Sequence, residues 1–303
     1  MPTRTLCIGE ILWDALPAGL FLGGAPFNVA CHLHALGVES AFASCVGTDR
    51  LGREAVRRLR MRGLDTDLIQ VDDELPTGFV EVSFDDTGEP DYNILKPAAW
   101  DAIALTESLK QRAERADALV FGSLAQRKKM SRQTIQQLGT TTGAVRVCDI
   151  NLRPPYDDRG TVEASLALAD IVKLNEEELH RLCTWFDLSD APETAMEALA
   201  ETFDCEAVAV TRGGWGALLW QEGQCWSHPG YAVEVEDPVG AGDAFLSALL
   251  AGLIDGRGGE SVLDLANRIG AYVASHAGAL PAYDLDTLDA IHDLPVGEVR
   301  SFE

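Results

Sequence analysis

Asp237-Pro238-Val239-Gly240-Ala241-Gly242-Asp243 joins an acid to a glycine turn and runs into an apolar stretch, 244–254, that reads as a buried helix. The first amides of a helix have no partner inside it, and the helix dipole makes that end positive. Gly240 and Gly242 would let a phosphate approach the bare backbone of the turn, with Ala241 between them. Asp243 then lies beside any anion bound there. A carboxylate is a poor phosphate ligand, so its fitting task is to take a proton from a hydroxyl that attacks phosphorus. The competing reading is a tight turn with an ordinary first-turn acid, because a short glycine motif alone is weak.

Other strings carry complementary chemistry. Gly23-Gly24-Ala25-Pro26-Phe27-Asn28 puts glycines before a second helix and an amide in its first turn. An amide both donates and accepts, which suits a polyhydroxylated ligand. Asp14 follows the first strand, where open parallel sheets bind ligands and a carboxylate can grip vicinal hydroxyls. Asp149, Asn151 and Arg153 alternate at another strand end and are expected to share a face. Asn175 and Glu178 are three apart at a helix start, a spacing able to orient a metal-bound water near phosphate. Thr211-Arg212-Gly213-Gly214-Trp215-Gly216 offers a hydroxyl and pliant backbone to a nucleotide. Each has a plainer reading, respectively a helix start, a solvated loop acid, a polar strand end, dipole-favoured acids and a β-turn. No Walker-type G-x-x-x-x-G-K-[ST] occurs, and no complete G-x-G-x-x-G follows the first strand, which weakens P-loop and nicotinamide readings. The six histidines show no zinc spacing.

The elements that must position these groups alternate. Strands are expected at 6–10, 41–46, 118–121, 145–150, 170–174 and 207–211, and helices at 25–36, 51–61, 131–138, 162–168, 176–183, 192–202, 244–254 and 261–275. That order implies a mostly parallel sheet covered by helices. Residues 77–84 and 91–95 alternate as a hairpin polar on one face, expected to form a β-lid over the sheet's open end. A second hairpin pairs 217–220 with 224–227. The 303 residues suffice for a large core without staples.

Lys plus Arg is 24 and Asp plus Glu 48, a formal net charge of −24. Such a surface disfavours nucleic acid and anionic membranes as partners. It also repels phosphates at long range, so a phosphate site needs local backbone donors and a divalent cation. Seven cysteines without paired spacing argue for free, mostly buried thiols in a reducing compartment. Residues 1–10 read as a strand rather than a signal peptide, and no apolar run is long enough to span a bilayer. The expectation is a soluble cytoplasmic protein.

Together the strings resemble the ribokinase-like sugar kinases, the phosphofructokinase-B (PfkB) family, from end to end. The N-terminal signature is 23–30 with Gly37 and Gly47 at the family's spacing, and the C-terminal signature is 237–243. Asn175 to Glu178 matches the N-x-x-E motif. Pro238 stands where Thr is frequent. The resemblance implies a single kinase domain over 1–303, with a lid from about 12–24 and 76–100, and ATP and Mg²⁺. It implies Asp243 as base, with the amides of Ala241, Gly242 and Asp243 as anion hole after Gly240. Asp14, Gly23, Gly24, Asn28, Gln126 and Arg153 would hold the sugar. Asn175, Thr211, Gly213, Gly216 and Asn267 would contact the nucleotide, and Glu178 would organise Mg²⁺ through water. A K⁺ site would involve Asp237, Val239, Val273 and Gly278, and a homodimer would form through the lid. Segments 9–14, 96–101, 122–127 and 151–153 look similar to bacterial fructokinases, which points to fructose; ribose, 2-keto-3-deoxygluconate, other hexoses and adenosine are rivals. A silent sugar or nucleotide sensor and a nicotinamide oxidoreductase are the alternative classes.

Overall fold

The computed structural model describes residues 3–16, 19–84, 90–283, 287 and 294–297. β1 (Arg4–Ile8) is apolar on both faces, as a central parallel strand must be. The chain then leaves the main sheet for an antiparallel pair, β2 (Leu12–Leu16) and β3 (Gly19–Gly23), with Asp14 opposite Phe21. α1 (Ala25–Ala35) follows with Pro26 in its first turn, where a missing amide hydrogen costs nothing. β4 (Glu39–Gly47) returns beside β1. α2 (Arg50–Met61) is capped by Asp49, whose carboxylate accepts from the Gly52 amide at 2.8 Å.

β5 (Ile69–Asp72) extends the main sheet, while β6 (Gly78–Phe84) and β7 (Pro90–Ile94) form the expected early hairpin. Its turn, 85–88, lies outside the described residues. After α3 (Glu107–Glu114) the alternation is regular: β8 (Ala118–Gly122), α4 (Lys129–Thr141), β9 (Val145–Asp149), α5 (Arg159–Leu166) and β10 (Ile171–Asn175). Next come α6 (Glu176–Phe186), α7 (Pro192–Phe203), β11 (Ala207–Thr211) and the hairpin β12 (Ala217–Gln221) with β13 (Gln224–His228). α8 (Ala241–Ile254) and α9 (Gly259–Ala274) complete the cover.

Among the described residues nine strands form one sheet in the order β13-β12-β11-β10-β9-β8-β1-β4-β5, parallel except that β12 runs antiparallel to both β11 and β13. A smaller sheet runs β3-β2-β6-β7. Alternate residues of each central strand feed two cores. Leu6, Ile8, Leu119, Phe121, Val208 and Val210 face the side covered by α3 to α7. Cys7, Val120, Ala207 and Ala209 face the side covered by α1, α2, α8 and α9. β1 lies between β4 and β8, so the order reverses there and opens a crevice beyond the strands' carboxyl ends. All seven cysteines are free, and only Cys225 is exposed. No helix among the described residues is long and apolar enough to cross a membrane.

Candidate active site

Two helix starts meet at the crevice. α1 begins at Gly24, whose φ of 117° suits glycine, and a Cβ there would lie 2.4 Å from the Glu10 carbonyl oxygen. That close approach aims the first turn of α1, with buried Asn28, over the end of β1. α8 begins at Gly240, at φ 81°, pressed against Ala279. Asn28 Nδ2 donates to Asp243 Oδ2 at 2.8 Å, so the two signature strings share one hydrogen bond. Ser247 fastens the same helices, donating to the carbonyls of Asp243 (2.7 Å) and Val29 (3.2 Å).

Asp243 is 9% exposed. Burial pushes its carboxyl up to about 6, Asp149 adds to the rise, and Lys173, the Asn28 hydrogen bond and Arg153 oppose it. Such a group is still mostly ionised near neutrality yet close enough in basicity to exchange a proton. The amides of Gly242 and Asp243 lead the helix, whereas the Ala241 amide leans on the Pro238 carbonyl at 3.3 Å. The expected three-amide hole therefore has two members directed by the helix start and one partly engaged.

Asp14, expected to hold the sugar, stands beside Gly23, where a Cβ would lie 2.7 Å from Oδ2. Burial raises the Asp14 carboxyl to about 6, and Arg153 opposes. Glu10 is 3% exposed with Oε2 unpartnered, in a small cavity also lined by Ser123, Asp149 and Asn151. Burial lifts it to about 7; Arg153 counters and Asp243 reinforces. Arg153 thus serves Glu10, Asp14 and Asp243 together while its own Nη1 donates to the Leu152 carbonyl.

Several expectations are corrected. Gln126 is fully buried, and its Nε2 donates to the Gly122 carbonyl and Ser165 Oγ, which leaves only Oε1 without a partner. Its neighbour Arg127 is also committed, through a bidentate pair with Asp101 at 2.7 and 2.9 Å. The alternation 149–153 breaks at Asn151, whose φ is 41°, and Asp149 turns instead to Lys173 Nζ at 3.0 Å. Asn175 and Glu178 form a capping box rather than a pair on the helix face: Asn175 Oδ1 accepts from the Glu178 amide, and Glu178 Oε2 from the Asn175 amide, both at 2.8 Å. Glu178 Oε1 accepts from the Leu152 amide at 2.7 Å, which ties α6 to the loop after β9.

Of the residues expected to contact the nucleotide, Thr211 ends β11 in register with Asn175, and Gly213 and Gly216 take φ of 56° and 79°. Asn267 is buried on α9, its amide donating to the Leu263 carbonyl. Asp237 accepts from the amides of Val239 and Gly278, each at 3.0 Å, and Val273 is buried on α9. Among the described residues no three His, Cys, Asp or Glu side chains converge as a metal site.

Sequence motifs missed Lys173. Its signal was a single charge inside the buried strand Ile171-Val172-Lys173-Leu174. Burial acts to lower the Lys173 ammonium, but Asp149, Glu178 and Asp243 outweigh it and hold it above its ordinary range. Glu178 shifts upward, through burial first and Asp149 as well, with Lys173 and two amides opposing.

A helix-covered parallel sheet with a buried carboxylate at a glycine-led helix start is an arrangement suited to phosphoryl transfer. The chain belongs to the pfkB family of carbohydrate kinases, whose profile matches residues 18–285, and it acts on a sugar hydroxyl. It is 30% identical over 302 residues to a fructokinase of Escherichia coli, covering 93% of this chain and 96% of that one. A sugar kinase of Pyrococcus horikoshii solved in complex with ATP superimposes with a TM-score of 0.79 at 28% identity, covering 93% and 96% of the two chains. A fructokinase of Vibrio cholerae with fructose, ADP and calcium bound gives 0.81 at 27% identity, covering 95% and 98%.

Proposed function

We propose that this kinase transfers the γ-phosphoryl group of ATP to the primary hydroxyl of fructose, giving fructose 6-phosphate. The observation that carries the reading is the Asn28–Asp243 hydrogen bond, which sets a base of near-neutral basicity between a polyol-binding edge and a helix start. Asp14, Gly23, Gly24, Asn28 and Arg153 orient the sugar. Asp243 accepts the hydroxyl proton as the oxygen approaches phosphorus, and the amides of α8 stabilise the charge on the moving group. Asn175, Thr211, Gly213, Gly216 and Asn267 border the nucleotide. The second sheet closes over the sugar and excludes water that would hydrolyse ATP.

Glu178 suits Mg²⁺ only through water, because two backbone amides already occupy its oxygens and no metal cluster surrounds it among the described residues. Mg²⁺ characteristically keeps its waters and binds substrate phosphates, where it neutralises their charge. Asp237 with the backbone of Val239, Val273 and Gly278 is the place for K⁺. Leu20 and Phe21, exposed on β3, favour a homodimer through the second sheet. The surface charge favours a cytoplasmic protein without nucleic-acid partners.

An ADP-release assay over fructose, ribose, 2-keto-3-deoxygluconate and adenosine, with and without K⁺, tests the reading. Fructose should give the highest kcat/KM, and Asp243→Asn should lower turnover about 10²- to 10⁴-fold. A different preferred acceptor overturns the substrate; near wild-type turnover by Asp243→Asn overturns the base.

A further inference from the structure

Lys173 has no task in the scheme above, and its placement asks for one. Its side chain is 7% exposed in the middle of a central strand, a position lysine rarely occupies. Nζ lies 3.0 and 3.3 Å from the two oxygens of Asp149. A Cβ built on Gly242 would lie 3.1 Å from Nζ and 3.8 Å from Cε. The ammonium is therefore packed against the glycine turn of α8, one residue before Asp243. Stability is a poor reason for the arrangement, because apolar residues often replace a buried ion pair without loss.

We propose that Lys173 is a positioning residue for phosphoryl transfer: its ammonium, anchored by Asp149 and packed on Gly242, braces the glycine turn that receives the phosphate and sets a positive charge beside Asp243. The inference rests on the kinase reading of this site.

Asp243 is faced from several elements. Asn28 on α1 donates to it, Asp149 ends β9, Lys173 lies on β10 and Arg153 follows β9. Glu10, after β1, also interacts with it, and Glu178 on α6 acts on Lys173. Lys173 and Arg153 favour the carboxylate, whereas Asp149 and Glu10 oppose it. Charges buried this deeply are screened little by salt. The two halves of one ion pair therefore push Asp243 in opposite directions. An ion pair that served the fold alone, out of electrostatic reach of Asp243, would move neither the midpoint nor the acid limb of kcat/KM.

The test is a carboxyl ¹³C NMR titration of Asp243 in the full chain, assigned with Asp243→Asn, beside the pH profile of kcat/KM for ATP and fructose. Lys173→Gln should raise the Asp243 midpoint by roughly one pH unit. Asp149→Asn should lower it, the double variant should fall between them, and Lys173→Arg should stay near wild type. The acid limb of kcat/KM should move with each midpoint. Unmoved midpoints, or midpoints that move the same way in both single variants, overturn the proposal. If Lys173→Gln does not fold, Asp149→Asn decides alone: a lowered midpoint supports the proposal, and an unchanged or raised one overturns it. Divergent midpoints without sugar turnover in the wild type would remove the kinase reading and leave the coupling. Turnover with static midpoints would do the reverse.

Discussion

Asn28 Nδ2 and Asp243 Oδ2 meet at 2.8 Å across 215 residues of sequence, and Asn28 Oδ1 is left buried without a partner. The amide thus spends its donor on the base and keeps an acceptor for a hydroxyl. Truncating it removes a charge-assisted bond of about 1.5–3 kcal/mol. Asn28→Ala should lower kcat/KM for the sugar roughly 10- to 100-fold, since each 1.4 kcal/mol is tenfold, and leave the KM for ATP nearly unchanged. Steady-state kinetics with each substrate varied checks this. An equal loss for both substrates would detach Asn28 from the acceptor side.

Asp243 should cost the fold stability at the pH where it works. Its carboxyl is raised from 3.8 to about 6, so between those values the folded state binds more protons than the unfolded one. Its contribution is full below about pH 4 and is lost as pH rises through about 6. Asp14, raised to about 6, and Glu10, raised to about 7, act in the same sense. With each pH unit between the unfolded and folded midpoints worth about 1.4 kcal/mol, Asp243→Asn should be more stable than wild type by about 3 kcal/mol at pH 8. The gap should close near pH 4, and turnover should fall about 10²- to 10⁴-fold. Urea unfolding at the two pH values decides it, and a variant less stable than wild type at pH 8 would contradict the buried charge.

The parallel sheet was legible because its strands are short apolar runs separated by helical periodicity. β2 and β3 have no such pattern, since β3 is the edge of the second sheet with Gly19, Leu20 and Phe21 exposed, and β2 passes from buried Trp13 to half-buried Asp14 and Ala15. β5 is four residues with little burial, and α3 buries only Leu109 and Ala113, too few for a clear period. The glycine-led helix starts were legible because their chemistry is local. Lys173 and Glu10 were not, because each acquires meaning only from residues brought beside it by the fold. Gln126 was ambiguous for the same reason: its partner Ser165 lies on another element and takes the amide's donor, while Oε1 is left buried without a partner.

The segments on either side of the second sheet's return are held by Asp101 and Arg127, whose side chains are 5% and 2% exposed. The guanidinium also donates to the Leu95 carbonyl at 3.0 Å and stacks 3.8 Å from the Trp100 ring, while Asp101 Oδ2 accepts from the Ala98 amide at 3.0 Å. Asp101→Ala leaves a buried cation unpaired and should cost about 3–5 kcal/mol. The double change Asp101→Leu with Arg127→Met should cost less, because no charge remains buried. Chemical denaturation of the three proteins measures the difference, and a double variant weaker than the single one would refute this account.

Gly23→Ala tests the proposed sugar edge without adding or removing a charge. Gly23 faces Leu12 across the β2–β3 pair, and a Cβ on it would lie 2.7 Å from Asp14 Oδ2 and 3.9 Å from a Leu12 methyl. The Leu12 contact is ordinary, so the carboxylate must be the group that moves. Its backbone φ is not in the left-handed region, which leaves the strand able to accept alanine. Gly23→Ala should therefore fold normally while turning Asp14 away from the crevice. A misplaced carboxylate loses a charge-assisted hydrogen bond, so the KM for the sugar should rise by about tenfold or more. The KM for ATP should hold, because Gly23 and Asp14 pair in the second sheet whereas Asn175 and Thr211 pair in the main one. Asp14→Asn should raise the same KM, and adding Gly23→Ala to it should do little more, since the group that alanine displaces has already lost its charge. Fully additive effects in that double variant would show that the glycine acts by another route than Asp14.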